Sequence, residues 1–119
     1  MSTKVSVVNL YGHVTVSAVP EFQKLLQARI DSTALVVASL SQAEEIDLAG
    51  VQLLYSARRY AALQGKRFEL TGSVPEVIAN RLFHGGFVSA VVLDGKELNK
   101  QLHEFDLPTG VASEDRGDD

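Results

Sequence analysis

Residues 35–40, Leu-Val-Val-Ala-Ser-Leu, are apolar almost without interruption. A strand with water on one face alternates apolar and polar residues. An unbroken run suits a strand covered on both faces, as in the centre of layered α/β sheets. The next segment points the same way. In residues 44–54, Glu-Glu-Ile-Asp-Leu-Ala-Gly-Val-Gln-Leu-Leu, three acids fall within four residues before a helical pattern begins. Gly50, Leu53, Leu54, Ala57, Tyr60 and Ala61 then make one stripe at helical spacing, ended by Gly65.

Similar patterns flank this pair. Residues 4–10 read as a first strand carrying Val5, Val7 and Val8, and Tyr11-Gly12-His13 as a tight connection to a short strand at 14–16. Phe22, Leu25, Leu26 and Ile30 fall at helical spacing, with Pro20 tolerable in the first turn. Residues 66–71 alternate, with Phe68 and Leu70 inward. Ser73-Val74-Pro75-Glu76 has the spacing of a capping box and predicts a helix carrying Val77, Ile78, Leu82 and Phe83, stopped by Gly85-Gly86 with Phe87 folding back. Residues 90–93 predict a short edge strand, and a last helix starts at Asp94-Gly95 with Leu98, Leu102 and Phe105 on one face. The expected fold is α/β: a small mixed sheet of four to five strands packed with four to five helices. It forms a single domain over residues 1–107, with an acidic, disordered tail at 108–119.

The chain's 119 residues suffice for one core. Its net charge is −4, and residues 113–119, with four acids and one arginine, supply −3 of that. The body is thus close to neutral, which argues against a nucleic-acid partner, since phosphate contacts need clustered Lys and Arg. No apolar run approaches the ~20 residues of a membrane span, so no direct membrane insertion is expected, and the first residues lack a signal-peptide layout. There is no cysteine, hence no disulfide, thiolate nucleophile or thiolate-bound zinc. A cytoplasmic location is the expectation.

Residues that could carry catalysis are scarce. His13, His84 and His103 are far apart and at no metal-ligand spacing. Neither GxGxxG nor GxxxxGK[ST] occurs, and no serine sits in a GxSxG elbow. Glu44, Glu45 and Asp47 suit a solvated, dipole-favoured helix start better than a cation site. No catalytic residue, metal or cofactor is therefore expected. The helix beginning near Gly50 offers a different use. Val51, Tyr55 and Arg58 follow i, i+4, i+7 spacing and are expected to point outward beside Gln52, Arg59 and Ala62, as a protein-docking patch, because Tyr and Arg are favoured interface anchors.

The order of these elements, with Leu-Val-Val-Ala-Ser-Leu-Ser, Ile-Asp-Leu-Ala-Gly-Val-Gln-Leu-Leu, Gly-Lys-Arg-Phe-Glu-Leu-Thr-Gly and the late Leu-Phe-His-Gly-Gly-Phe, resembles a STAS domain from about Val5 to Phe105. The most specific piece is I-D-x-x-G-x-x-L-L after a buried strand. That family includes bacterial anti-sigma-factor antagonists. Its partner-switching members carry a serine or threonine just before the helix-opening glycine, and the kinase that is also the anti-sigma factor phosphorylates it. Here that phosphoacceptor-equivalent position is Ala49, preceded by Leu48, and neither can accept a phosphoryl group. Asp47 matches the family pattern, whereas Ser39 stands where an aspartate is common.

The resemblance implies a non-enzymatic regulator that binds a kinase-type anti-sigma factor or a chemotaxis-type signalling protein. The surface implied comprises Asp47, Leu48, Ala49, Gly50, Val51, Gln52, Tyr55, Arg58 and Arg59. The alternative it implies is a STAS subunit of an ABC-type lipid transport complex, docked on the ATPase. Either would work as a monomer or weak homodimer.

Overall fold

The computed structural model describes residues 4–105, with side chains as far as Gln101. The elements run β1 (Val5–Asn9), β2 (Gly12–Val14), α1 (Val19–Ser32), β3 (Leu35–Ser39), β4 (Ala43–Ile46), α2 (Leu48–Leu63), β5 (Arg67–Thr71), α3 (Glu76–His84) and α4 (Gly95–Phe105). Among the described residues, five strands and four helices confirm the α/β class. The strands form two ladders, β1-β3-β5 and β2-β4, both parallel. The antiparallel pairing among the described residues is the isolated Ser73–Asp94 bridge.

In the larger ladder Val5, Leu35 and Arg67 are level at the sheet's N-terminal edge, and Asn9, Ser39 and Thr71 at its C-terminal edge. Ser6, Val8, Val36, Ala38, Phe68 and Leu70 are buried on the face that α1 and α2 cover. Phe22, Leu26 and Ile30, one turn apart on α1, meet Leu53, Leu54, Ala57 and Ala61 of α2 in that core. Arg29 of α1 donates to the Ser6 hydroxyl at 2.8 Å, so this buried polar group is satisfied. On the opposite face Val5 and Val7 are exposed and Leu35 and Val37 half-buried. The run 35–40 is thus fully covered on one side only, because α1 and α2 both pack on that same side.

Helix ends follow local chemistry. α2 closes in a Schellman arrangement: Lys66 N–H donates to Ala61 O, Gly65 N–H to Ala62 O, and Gly65 takes φ +71. Asp94 Oδ2 accepts from Glu97 N–H at the start of α4, and Leu98 is fully buried. Asn99 Oδ1 accepts from the Leu70 N–H at 3.2 Å, so α4 seals the β5 edge of the sheet. Phe87 N–H bonds to Leu82 O and its ring lies against Gly85, folding back as its position suggested.

Four local expectations change. β2 lies at 12–14 rather than 14–16, because the Thr15 carbonyl accepts from Ala18 and Val19 N–H and turns the chain into α1. Residues 43–46 are a strand rather than a solvated lead-in to α2: Ala43 and Ile46 are buried and paired with β2. The Ser73 box does not form. The bridge to Asp94 holds Ser73, Pro75 occupies the N-cap of α3, and no side chain caps that helix. Residues 90–93 form no strand; Val92 is buried by packing, and the pairing nearby is confined to Asp94. Leu102, His103 and Phe105 have side chains outside the described residues, and the expected tail at 108–119 lies wholly outside them.

Candidate functional site

The mouth of α2 is built around Asp47. Its backbone is extended (φ −119, ψ −173), which makes it the helix N-cap. Oδ1 accepts from Gly50 N–H at 3.0 Å, while Oδ2 accepts from Val16 N–H at 3.1 Å. The Asp47 N–H in turn donates to the Val14 carbonyl at 3.4 Å. One carboxylate therefore fastens the helix start to the β2–α1 loop.

Gly50 completes the joint. A Cβ there would overlap the Val14 carbonyl oxygen and stand 2.7 Å from Ile46 Cγ1. The spacing D-x-x-G thus has a structural cause: the aspartate caps, and the glycine lets the helix touch the backbone of β2. Val51 is also internal, at 1% exposure, contrary to the outward position expected from helical spacing. The first turn of α2 sits against the β2–β4 ladder, so the covered arc is wider than one stripe.

What remains outside is Leu48, 57% exposed, with half-buried Ala49 and exposed Gln52, Ser56 and Arg59 continuing along the helix. Asp47 holds the loop so that Val16, 69% exposed, belongs to the same mouth. Ala49, Gln52, Leu53 and Ser56 face Val19 and Gln23 of α1 across an open cleft of about 180 Å³. Val16, Val19 and Gln23 carry no sequence signal of their own that assigns them to this site, and nothing in the sequence marks Ser56 as a substrate for modification. The signal that could have found Val16 is Asp47 itself, whose second oxygen needs a donor from another segment.

Tyr55 and Arg58 belong to a different side. They are half-buried, the guanidinium carbon stands 5.6 Å from the ring centre, and both line a hollow with Leu54, Phe68, Leu70 and Asn99. They face the α2–α4 seam instead of standing outward with Leu48. Of the nine candidate residues, Leu48, Ala49, Gln52 and Arg59 share an accessible face. Asp47, Gly50 and Val51 build its support.

The acids beside the site do not converge. His13 lies between Glu45 (3.1 Å) and Glu44 (3.6 Å), and Arg81 of α3 reaches Glu45 at 3.5 Å, while Asp47 is engaged with amides. Among the described residues no group of three or more His, Cys, Asp or Glu side chains is placed to hold a metal ion. No described helix is long and apolar enough to cross a membrane. At the other end of α2, Tyr60 and Gln64 donate to Asp31, which holds that carboxyl below its ordinary range, the tyrosine hydroxyl contributing most. Tyr60 is correspondingly raised, first by the same bond.

Comparison with solved structures finds the same fold in several contexts. The unphosphorylated anti-sigma factor antagonist SpoIIAA aligns with TM-score 0.55 and 16% identity over 90% of this chain and 94% of its own. The STAS domain of a SulP transporter from Vibrio cholerae gives 0.53 and 17% over 89% and 87%. Murine Slc26a9, an anion transporter in its inward-facing state, gives 0.60 and 16%; 89% of this chain covers 18% of that protein. No curated protein matches the chain. The family model described as "Mlab, STAS domain" matches residues 1–83, and those residues contain the β2–β4 ladder, the Asp47 cap and the whole of α2. The chain belongs to the STAS domain family.

Proposed function

We propose that this protein is a non-enzymatic docking module of the cytoplasm that engages a regulatory protein through the mouth of α2 and is not switched by phosphorylation there. The observation that supports this is the exposed apolar pair Leu48 and Val16, set around a rigid cap, with Ala49 where a switching relative carries its hydroxyl. STAS domains are generally non-catalytic interaction modules. An apolar side chain held by a pre-formed helix start docks with little loss of conformational freedom. A phosphate on a residue at position 49 would add about −1.5 to −2 charges in that contact. Without a hydroxyl at position 49 the surface is not switched there, and the partner supplies the regulation. The partner class we favour is a kinase-type anti-sigma factor or a chemotaxis-type signalling protein. The fold shared with SpoIIAA supports the former class.

A second reading, a subunit of an ABC-type lipid transport complex docked on its ATPase, draws on a separate observation: the family model that matches residues 1–83 is the one described as "Mlab, STAS domain". Capture from the native host separates the two. Wild type, Leu48→Asp, Ala49→Asp and a control, Leu63→Asp, are compared; Leu63 is 80% exposed at the far end of α2. Wild type and the control are expected to retain one partner that the other two lose by tenfold or more. A sensor kinase or ATPase-fold anti-sigma factor selects the first reading, a transporter ATPase the second. Equal retention by all four proteins places the interface elsewhere.

A further inference from the structure

Among the described residues, cations are in excess at one end of the sheet and acids at the other. At the N-terminal edge lie Lys4, whose carbonyl accepts from Ala34 N–H, and Arg67, whose N–H donates to the Ala34 carbonyl. Lys66 joins them, its ammonium on the Ile30 and Asp31 carbonyls at 2.8 Å each. Arg29, near the end of α1, and Arg59, just over a turn before the end of α2, belong to the same region. The acids there are Asp31 and Glu69, the latter bonded to Arg67. At the opposite edge the helix starts carry Glu21, Asp47, Glu76, Asp94 and Glu97, with Glu44 and Glu45 on β4, and these acids outnumber the cations beside them, Lys96 on α4 and Arg81, which reaches Glu45. The near-neutral body is therefore a dipole, basic where the strands begin.

The course of α4 determines which end the remaining chain leaves from. Gly95 packs on Thr71 and bonds to the Gly72 carbonyl, at the end of β5, and Asn99 meets Leu70. From Asn99 to Phe105 the helix advances about 9 Å. From Leu70 back to Arg67 the strand covers about 10 Å. With α4 running back along β5, the helix ends level with Arg67, at the basic edge. The fourteen residues that follow, 106–119, include Asp106, Glu114, Asp115, Asp118 and Asp119 against one arginine. At no more than about 3.5 Å per residue, the nine residues from Phe105 put Glu114 within about 30 Å of the end of α4, and the fourteen to Asp119 within about 50 Å. A segment of that length keeps its acids beside the basic edge at high effective concentration.

We infer that the acidic segment 106–119 binds in cis to the basic edge formed by Arg59, Lys66, Arg67 and Lys4. Net charge is all the contact requires; the cations keep their present partners. Individual exposed pairs are weak, about 0–1 kcal/mol each, so the bound state arises from several acids acting together and is sensitive to salt. Where α2 is the docking helix proposed above, the segment screens its Arg59 end from an acidic competitor while leaving Leu48 accessible.

The chain lacks cysteine, so Gly117→Cys in the full-length protein creates one labelling site and keeps every acid. A nitroxide there is followed by amide relaxation in NMR, which needs no partner and is independent of the docking proposal. The expected result is broadening of Arg59, Lys66 and Arg67 amides at least twofold greater than at Ser41, Gln42 and Glu76. That contrast disappears on raising ionic strength from about 0.01 M to about 1 M, where the Debye length falls from ~30 Å to ~3 Å. It disappears also when Glu114, Asp115, Asp118 and Asp119 are replaced together by Gln and Asn. Equal broadening at both edges, or a contrast that survives high salt and neutralisation, overturns the inference.

Discussion

Replacing Gly50 with alanine tests the account of the α2 mouth, because two physical effects act in opposite directions. Helix propensity alone favours alanine over glycine by about 1 kcal/mol. The structure predicts the reverse. The new Cβ would overlap the Val14 carbonyl oxygen and approach Ile46 Cγ1 to 2.7 Å, and Val14 C to 3.2 Å. The carbonyl belongs to the backbone of β2 and accepts from Asp47 N–H, so it cannot rotate away as a side chain would. Relief requires α2 to withdraw from the β2–β4 ladder. That movement strains the Asp47 cap, worth about 1 kcal/mol, and adds overpacking of about 1–3 kcal/mol. After the propensity gain is subtracted, the net loss is about 1–3 kcal/mol, or a fall in melting temperature on the order of 5–20 °C for a domain of this size. Urea denaturation followed by circular dichroism measures the difference directly. Gly65→Ala is the comparison: Gly65 has φ +71 and open space around its α-carbon, so its loss of about 1–2 kcal/mol arises from backbone strain alone. If Gly50→Ala is neutral or stabilising, the close approach of α2 to β2 is refuted, and with it the explanation of the D-x-x-G spacing.

Asp47→Ala removes both the α2 cap and the acceptor for Val16 N–H; a loss of about 2 kcal/mol is expected, with faster hydrogen exchange at Val16 and Gly50. Asn99→Ala leaves the Leu70 N–H without its acceptor at the sheet edge, and denaturation should show a loss of about 1–2 kcal/mol with earlier exchange of that amide. Tyr60→Phe deletes the strongest influence holding Asp31 below its ordinary range, so the carboxyl pKa followed by carbon NMR should rise towards that of an unperturbed aspartate. Because the folded pKa is the depressed one, any stability Asp31 contributes is present above its unfolded pKa and lost as pH falls through the folded value. The wild-type acid limb of stability should therefore extend to lower pH than that of Tyr60→Phe.

Much of the α/β architecture could be read locally, and the misreadings share a cause. β1, β3 and β5 announce themselves through apolar runs or alternation, and α2 through its stripe, because these residues must be buried whatever their partners are. β4 gives no such signal. Ala-Glu-Glu-Ile places two charges in four residues, and it is a strand because β2, some thirty residues away, supplies its backbone hydrogen bonds. The Ser73 box failed for a related reason: a bridge to Asp94, twenty-one positions on, takes the serine out of cap geometry.

At the candidate site the sequence alone determined that Asp47 and Gly50 flank a helix start, that position 49 between them is an alanine without a hydroxyl, and that α2 has an apolar face. Helical periodicity states which residues share a side. It does not state how many sides the neighbours will cover. Only the tertiary structure decided that Val51 is enclosed by the β2–β4 ladder, that Tyr55 and Arg58 turn into the seam with α4, and that Val16 arrives beside Leu48. Those outcomes depend on backbone atoms brought together from distant segments, above all the Val14 carbonyl and the Val16 amide meeting one aspartate.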